Sequence, residues 1–224
     1  MGVAKCTIKG SDYLGAFISA TDKYAFFGND VTKHNEDLIC KNLGVHPVFL
    51  PAFGTSLVGL FIKANSNGML LSNLVEERQI HMLKEQSLDI NISVLESGLN
   101  AVGNNILAND KIAIVNPDFD AVAVQSISDA LGVETVKDEI GGFKTVGANN
   151  ILTNRGLVIT NNATDAQKAK VDRITGFNSI STTANTGALS LGLSVVANSK
   201  GIVVGDSTTG FELARIMEGL ELNE

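Results

Sequence analysis

The chain has 224 residues, 44% of them hydrophobic, and a net charge of −7 from 17 Lys+Arg against 24 Asp+Glu. That is enough apolar material for a real core, in one or two domains. The acidic balance, only 5% aromatics and no Trp argue against a free nucleic-acid binder or a base-stacking surface. Docking on a basic protein stays open.

The chain opens on Met1-Gly2-Val3-Ala4-Lys5-Cys6, without the apolar stretch of a signal peptide, and no run of 18 apolar residues follows. The expectation is a cytoplasmic protein in which Cys6 and Cys40 are free, buried thiols. A strand at 4–9 comes first, with no helix before it.

Then a pattern repeats. Gly15-AFISATD-Lys23, Gly59-LFIKAN-Ser66, Gly103-NNILAN-Asp110, Asn149-NILTN-Arg155 and Gly192-LSVVAN-Ser199 share one shape. The last four end on Asn65, Asn109, Asn154 and Asn198, separated by 44, 45 and 44 residues. A second apolar run follows each time and closes at Asn29, Asn73, Asn116, Asn161 and Asp206, spaced 44, 43, 45 and 45. Two registers kept over five copies exclude chance and make the repeat the organising unit.

Each unit reads as strand, tight turn, strand, helix, strand. Thr164 with Gln167 and Thr209 with Glu212 fit capping boxes, in which side chains satisfy the free amides of a helix start. Asn73 is expected to cap with Glu76, and Asn116 to cap with Pro117 at the first helical position. Gly44, Gly132, Gly176 and Gly219 are expected to stop helices in the left-handed conformation, and the second helix to end through Glu85-Gln86-Ser87. Third strands begin near Val48, Ile90, Val133 and Ser179.

The fifth helix, 208–220, has almost no chain after it, so unit five lacks a third strand. The strand at 4–9 can supply it and close the ring, leaving no free sheet edge between first and last units. The predicted architecture is one α/β domain over 1–224, a closed five-fold toroid. Its units are roughly 10–53, 54–97, 98–142, 143–187 and 188–224.

His34, His46 and His81 stand in no metal-ligand spacing and no phosphate-binding loop exists, so no cofactor or metal is expected. The repeated Asn residues suit tight turns. Lys23, Lys111, Arg155 and Lys200 occupy four equivalent turns, with Asn67 in the fifth, and would form a ring of cations able to meet phosphate.

Residues 97–121 (SGLNAVGNNILANDKIAIVNPDFDA), 145–156 (TVGANNILTNRG) and 191–213 (LGLSVVANSKGIVVGDSTTGFEL) resemble the translation initiation factor 6 family, and the resemblance covers essentially the whole chain. It implies the five-fold pentein toroid, or α-β propeller. It also implies a non-enzymatic protein, monomeric when free, that binds the large ribosomal subunit on its intersubunit face. There it would sit on a ribosomal protein near the sarcin–ricin loop, block subunit joining and accompany late subunit maturation. Eukaryotic members carry an extra C-terminal tail, so the chain resembles the archaeal form. Asn161-Asn162 departs from the family's frequent His-Pro.

Other penteins modify guanidino groups with a late Cys nucleophile and a His. Here the last Cys is Cys40 and the last His is His81, which disfavours that chemistry. The docking loops expected from the resemblance are 53–60, 97–105, 141–150 and 183–192, at the end opposite the cations. They offer Leu60, Gly103, Asn104, Asn105, Asn149, Asn185 and Thr186 as contacts, with the Asn104 amide at the start of a strand and free to bond outward.

Overall fold

The structure is a computed structural model that describes residues 2–50 and 55–222. It contains five three-stranded sheets with helices between them. In unit two, a helical turn α3 (Val58–Phe61) leads into strand β5 (Ile62–Ala64), which pairs antiparallel with β6 (Gly68–Ser72). Helix α4 (Glu77–Lys84) then returns the chain to β7 (Asn91–Leu95), parallel to β6. The other units repeat this order. Unit five is completed by β1 (Gly2–Cys6), which runs parallel to β15 (Gly201–Gly205). This is the strand exchange expected from the count at the chain ends, two residues nearer the N-terminus; Ile8 instead bridges to Ser11.

The expected first strand is shorter than it reads. Each glycine-bearing segment starts as one helical turn: α1 (Leu14–Phe17), α3, α5 (Val102–Asn105), α7 (Val146–Asn149) and α9 (Leu191–Ser194). The reason is close approach of backbones. A Cβ on Gly59 would stand 2.1 Å from the Gly15 carbonyl oxygen, on Gly103 2.0 Å from Gly59, and on Gly147 2.2 Å from Gly103. On Gly192 it would stand 1.9 Å from Gly147, and on Gly15 2.0 Å from Gly192. Five glycines thus close a ring around the axis, each resting on the carbonyl of the one before.

Outside this ring sit five apolar cores, each shared by consecutive units. Helix α2 (Lys33–Leu43) places Ile39 and Leu43 against Ala25 and Phe27 of its own sheet and against Cys6 and Val203 of sheet five. Helix α6 (Ala121–Leu131) similarly packs Ile127 and Leu131 against Ala113 and Val115, and against Leu70 and Leu95 of unit two. No unit owns a complete core, so none can bury its apolar surface alone.

The helix signals resolve as follows. Thr164–Gln167 and Thr209–Glu212 form capping boxes, and Gly44, Gly132 and Gly176 stop their helices at φ 60°, 63° and 76°. Ser87, at φ 51°, replaces the missing glycine of unit two. Three expectations are corrected. Asn73 does not cap: its amide donates to the Ser97 carbonyl, and Glu76 caps α4 together with Gln79. Asn116 does not cap either: it donates to Asn105 Oδ1 and holds a turn through the Asp118 amide, while Asp120 caps α6. Gly219 is the last residue of α10 (Gly210–Gly219) rather than a left-handed stop, and a Cβ there would meet Val158 Cγ2 at 2.7 Å.

Gly103→Ala should therefore destabilise the fold by about 3 kcal/mol or more, because the added methyl meets backbone rather than a movable side chain. Gly98→Ala, with nothing within 4 Å of its Cβ, should change stability by less than about 0.5 kcal/mol. Denaturant unfolding checks both. A single cooperative transition for the whole chain is expected, since every core spans two units.

Candidate functional site

The two ends of the toroid are built differently. At the turn end, Asn65 Oδ1 accepts from the Asn67 and Gly68 amides, and its Nδ2 donates to the Asn109 and Leu131 carbonyls of the next unit at 3.0 and 2.8 Å. Asn109 donates onward to the Thr153 carbonyl, and Asn198 to those of Thr21 and Leu43. These residues staple neighbouring units together, and none has positive φ. In unit four the equivalent residue is Thr153, whose hydroxyl accepts from the Arg155 and Gly156 amides, as Thr21 does in unit one. Asn154 lies one residue past the register assigned from sequence.

Asn154 belongs instead to a second ring. Its Nδ2 donates to Asp22 Oδ2 and Asp110 Oδ2 at 3.0 and 2.6 Å, while Ser199 and Ser66 bond the same two carboxylates. All five units contribute, and the network stoppers the axis at this end.

The four cations do share the turn end, but they do not form a free positive ring. Lys23 pairs with Asp89 at 3.0 Å and lies over the Tyr24 ring. The Arg155 guanidinium donates to the Glu221 carbonyl. The Lys200 ammonium donates to the carbonyls of Asp22 and Gly44, where helix α2 ends. Only Lys111 extends its head into solvent without such a bond among the described residues. Asp22, Asp89 and Asp110 neutralise the rest of this end.

At the loop end, part of the first docking loop (residues 53 and 54) lies outside the described residues. Asn105 and Asn149 are buried and brace their loops: Asn105 donates to the Ala101 carbonyl and accepts from Asn116, and Asn149 accepts from Thr145. Leu60 is half-buried against the first core, and Gly103 sits in the glycine ring. Asn104 is in a helical turn rather than a strand, and its Oδ1 is buried, without a partner, beside the axis. Asn185 donates to the Asp12 carbonyl and accepts from the Thr208 hydroxyl, leaving Thr186 as the exposed tip.

That tip is held by one carboxylate. Asn185, Thr186 and Gly187 are all left-handed, at φ 48°, 60° and 104°. Glu212 accepts from the Thr186 and Gly187 amides, the Thr183 hydroxyl, and the amide and hydroxyl of Thr209. Burial alone would raise its pKa, but the hydrogen bonds from Thr209, Thr183 and Gly187 outweigh it and hold the group at about 2.

Sequence reasoning missed the exposed apolar side chains at this end. Tyr13, Phe49, Leu74, Val122 and Phe211 all stand here, with Val122 and Phe211 each 75% exposed. Five of the seven large exposed apolar residues among those described are therefore at one end, Val3 and Met82 being the others. The signal was present: Val122 and Phe211 each follow a helix cap by two residues, a position that points away from the core.

Neither thiol is poised for chemistry. Burial, with Asp206 nearby, pushes Cys6 up to about 11, and burial with Glu36 does the same for Cys40. No group of three or more metal-ligating side chains converges among the described residues.

A depressed carboxylate stabilises the fold above its unfolded value of 4.5 and loses that contribution as pH falls toward 2. The melting temperature should drop across that window, and Glu212→Gln should flatten the drop. At pH 7 the same variant should cost about 1–3 kcal/mol, since an amide cannot accept every bond that the carboxylate does.

The eIF-6 family model matches residues 3–219. The chain is 32% identical to translation initiation factor 6 of Picrophilus torridus, over 97% of this chain and 99% of that one. It is 33% identical to the Haloquadratum walsbyi factor (96% and 95%) and 32% identical to that of Thermococcus onnurineus (98% and 98%). Among solved structures, a dimethylarginine dimethylaminohydrolase aligns at TM-score 0.48 and 10% identity, over 97% and 95% of the two chains. The five-sheet pentein architecture and a match along nearly the whole chain agree, and the protein belongs to the eIF-6 family of translation initiation factors.

Proposed function

We propose that this protein binds the large ribosomal subunit through its loop end and sterically prevents joining with the small subunit, with a further part in large-subunit maturation. The observation that carries the choice of face is that Leu74, Val122, Phe211, Tyr13 and Phe49, five of the seven large exposed apolar residues among those described, stand at one end. Exposed apolar groups confined to one end favour that end as the protein contact. Leu60, Gly103, Asn104, Asn185 and Thr186 lie at the same end, the first four partly buried and Thr186 exposed. The partner surface is a ribosomal protein, with adjacent rRNA at the rim. An acidic toroid of charge −7 is complementary to a basic ribosomal protein and repelled by naked RNA.

The action is occupancy. No bond is made or broken, and no cofactor takes part. A standard interface buries roughly 1,200–2,000 Å² in total, and the rigid ring presents such a face without an ordering cost. A pentein enzyme would need an activated thiol, whereas both thiols here sit near 11. A function on ribosomal subunits implies a cytoplasmic protein that is monomeric when free. No helix among the described residues is long and apolar enough to cross a membrane.

Co-sedimentation with purified archaeal large subunits tests the face. Val122→Glu combined with Phe211→Glu should leave the melting temperature near that of the wild type, because both side chains are exposed. It should weaken subunit binding at least tenfold, about 1.4 kcal/mol, and restore subunit joining. Lys111→Glu at the turn end should bind as the wild type does. The opposite pattern moves the interface to the turn end, and no binding by any variant or the wild type rejects the function.

A further inference from the structure

The turn between β5 and β6 contains Asn67-Gly68, and no other Asn of the chain precedes a glycine. This dipeptide is the one most prone to succinimide formation, because glycine has no side chain to hinder attack by its own amide nitrogen on the residue before it. Packing requires both residues. A Cβ on Gly68 would stand 1.9 Å from the Ala130 carbonyl oxygen, near the end of α6. Gly156 and Gly201 meet the same constraint in units four and five, each 2.2 Å from a carbonyl oxygen, of Gly219 and of Asn42. There Arg155 and Lys200 precede the glycine, whereas unit two alone has an amide side chain. The Asn67 Nδ2 donates to the Leu131 carbonyl at 3.0 Å, where α6 ends.

We propose that Asn67 is a latent deamidation site, masked in the folded ring by Asn65 and released to react when the seam between units two and three opens. In the reaction the Gly68 nitrogen bonds to Asn67 Cγ, the Cγ–Nδ2 bond breaks, and the proton of that nitrogen leaves with Nδ2 as ammonia. Water then opens the succinimide at either carbonyl, giving aspartate or isoaspartate. Burial does not prevent this, since Asn67 is exposed. Hydrogen bonding does. The Gly68 amide donates to Asn65 Oδ1 at 3.0 Å, so the attacking nitrogen cannot lose its proton and turn towards Cγ without breaking that bond. Asn67 is pinned on three further sides. Its amide donates to the same Asn65 oxygen, its carbonyl accepts from the Asn91 amide, and its side chain is held by Leu131. Local opening releases these bonds together. The carboxylate that forms would face the Leu131 carbonyl as acceptor against acceptor, at the negative end of the α6 dipole. The product cannot remake the seam, so each reaction records an opening of the ring permanently.

The test incubates the full chain at mildly alkaline pH and follows Asn67 by peptide mapping with mass spectrometry. The folded wild type should keep its amide, while the same chain unfolded in urea should lose it at least about tenfold faster. Asn65→Ala, which removes the acceptor, should deamidate at Asn67 roughly tenfold faster than the wild type. Asn65→Thr should stay near the wild-type rate, because the Thr153 hydroxyl accepts the corresponding amides of Arg155 and Gly156 in unit four. Asn67→Asp should lower the melting temperature, and Asn67→Lys, which copies Lys200, should leave it near that of the wild type. Equal rates in folded and unfolded wild type overturn the inference. So does a folded Asn65→Ala that reacts no faster, an Asn65→Thr that reacts as fast as Asn65→Ala, or an Asn67→Asp as stable as the wild type. Should Asn65→Ala not fold, the comparison of folded with unfolded wild type decides alone.

Discussion

The fold depends on how closely five backbones can approach one axis. Each glycine of the ring rests where a methyl would stand about 2 Å from the carbonyl of the preceding unit. That distance is impossible for any side chain, so Gly15, Gly59, Gly103, Gly147 and Gly192 set the radius of the toroid. The radius in turn sets the angle between sheets, and the angle decides how much room a helix has between them. Helix α2 fills one such wedge with Ile39 and Leu43, and α6 another with Ile127 and Leu131. The strand exchange follows from the same geometry. Unit five must present a third strand, and β1 provides it from the far end of the sequence.

Closure divides the labour between the two ends. At the turn end the backbone groups freed by tight turns and helix ends are satisfied by Asn65, Asn109 and Asn198, whose amides reach into the next unit. The polar groups there bond to one another, and the cations are largely matched by carboxylates and carbonyls. The loop end is where strands finish and helices start, so chain can vary there without disturbing the ring. Exposed apolar side chains have gathered on it, and Glu212 holds two of three consecutive left-handed residues at one of its tips. A rigid scaffold below and free surface above are what a steric factor requires.

Much of this was legible in the sequence because repetition multiplies weak signals. One short apolar run is ambiguous, but five at a spacing of about 44 residues are a unit count. Capping boxes at Thr164 and Thr209 and stops at Gly44, Gly132 and Gly176 carry their own local physics, and they stand where expected. What stayed hidden was non-local. A four-residue helical turn has no period to detect, so the glycine segments read as strand. Asn116 matched a helix cap, yet Asn105, eleven residues away, engages its side chain. The pairing of Lys23 with Asp89 spans 66 residues and bridges two units, so a row of basic turns looked like a free positive face.

Symmetry also explains where specific chemistry can arise. When five copies place like residues around an axis, the shared residues make structure: glycines the bore, asparagines the staples. A site needs one copy to differ. Asn154 differs from Asp22 and Asp110, and that difference lets an amide bridge two carboxylates that would otherwise repel across the axis. Lys63 differs from Ser19, Leu107, Ile151 and Val196, and it places a single charge inside the ring. Val122 and Phe211 differ from His34, Arg78 and Ala166 at the equivalent second helical position, and they turn part of a polar rim apolar. The repeat therefore supplies a frame of fixed radius, and the departures from it mark the axis and one face as the places where this ring is no longer five-fold.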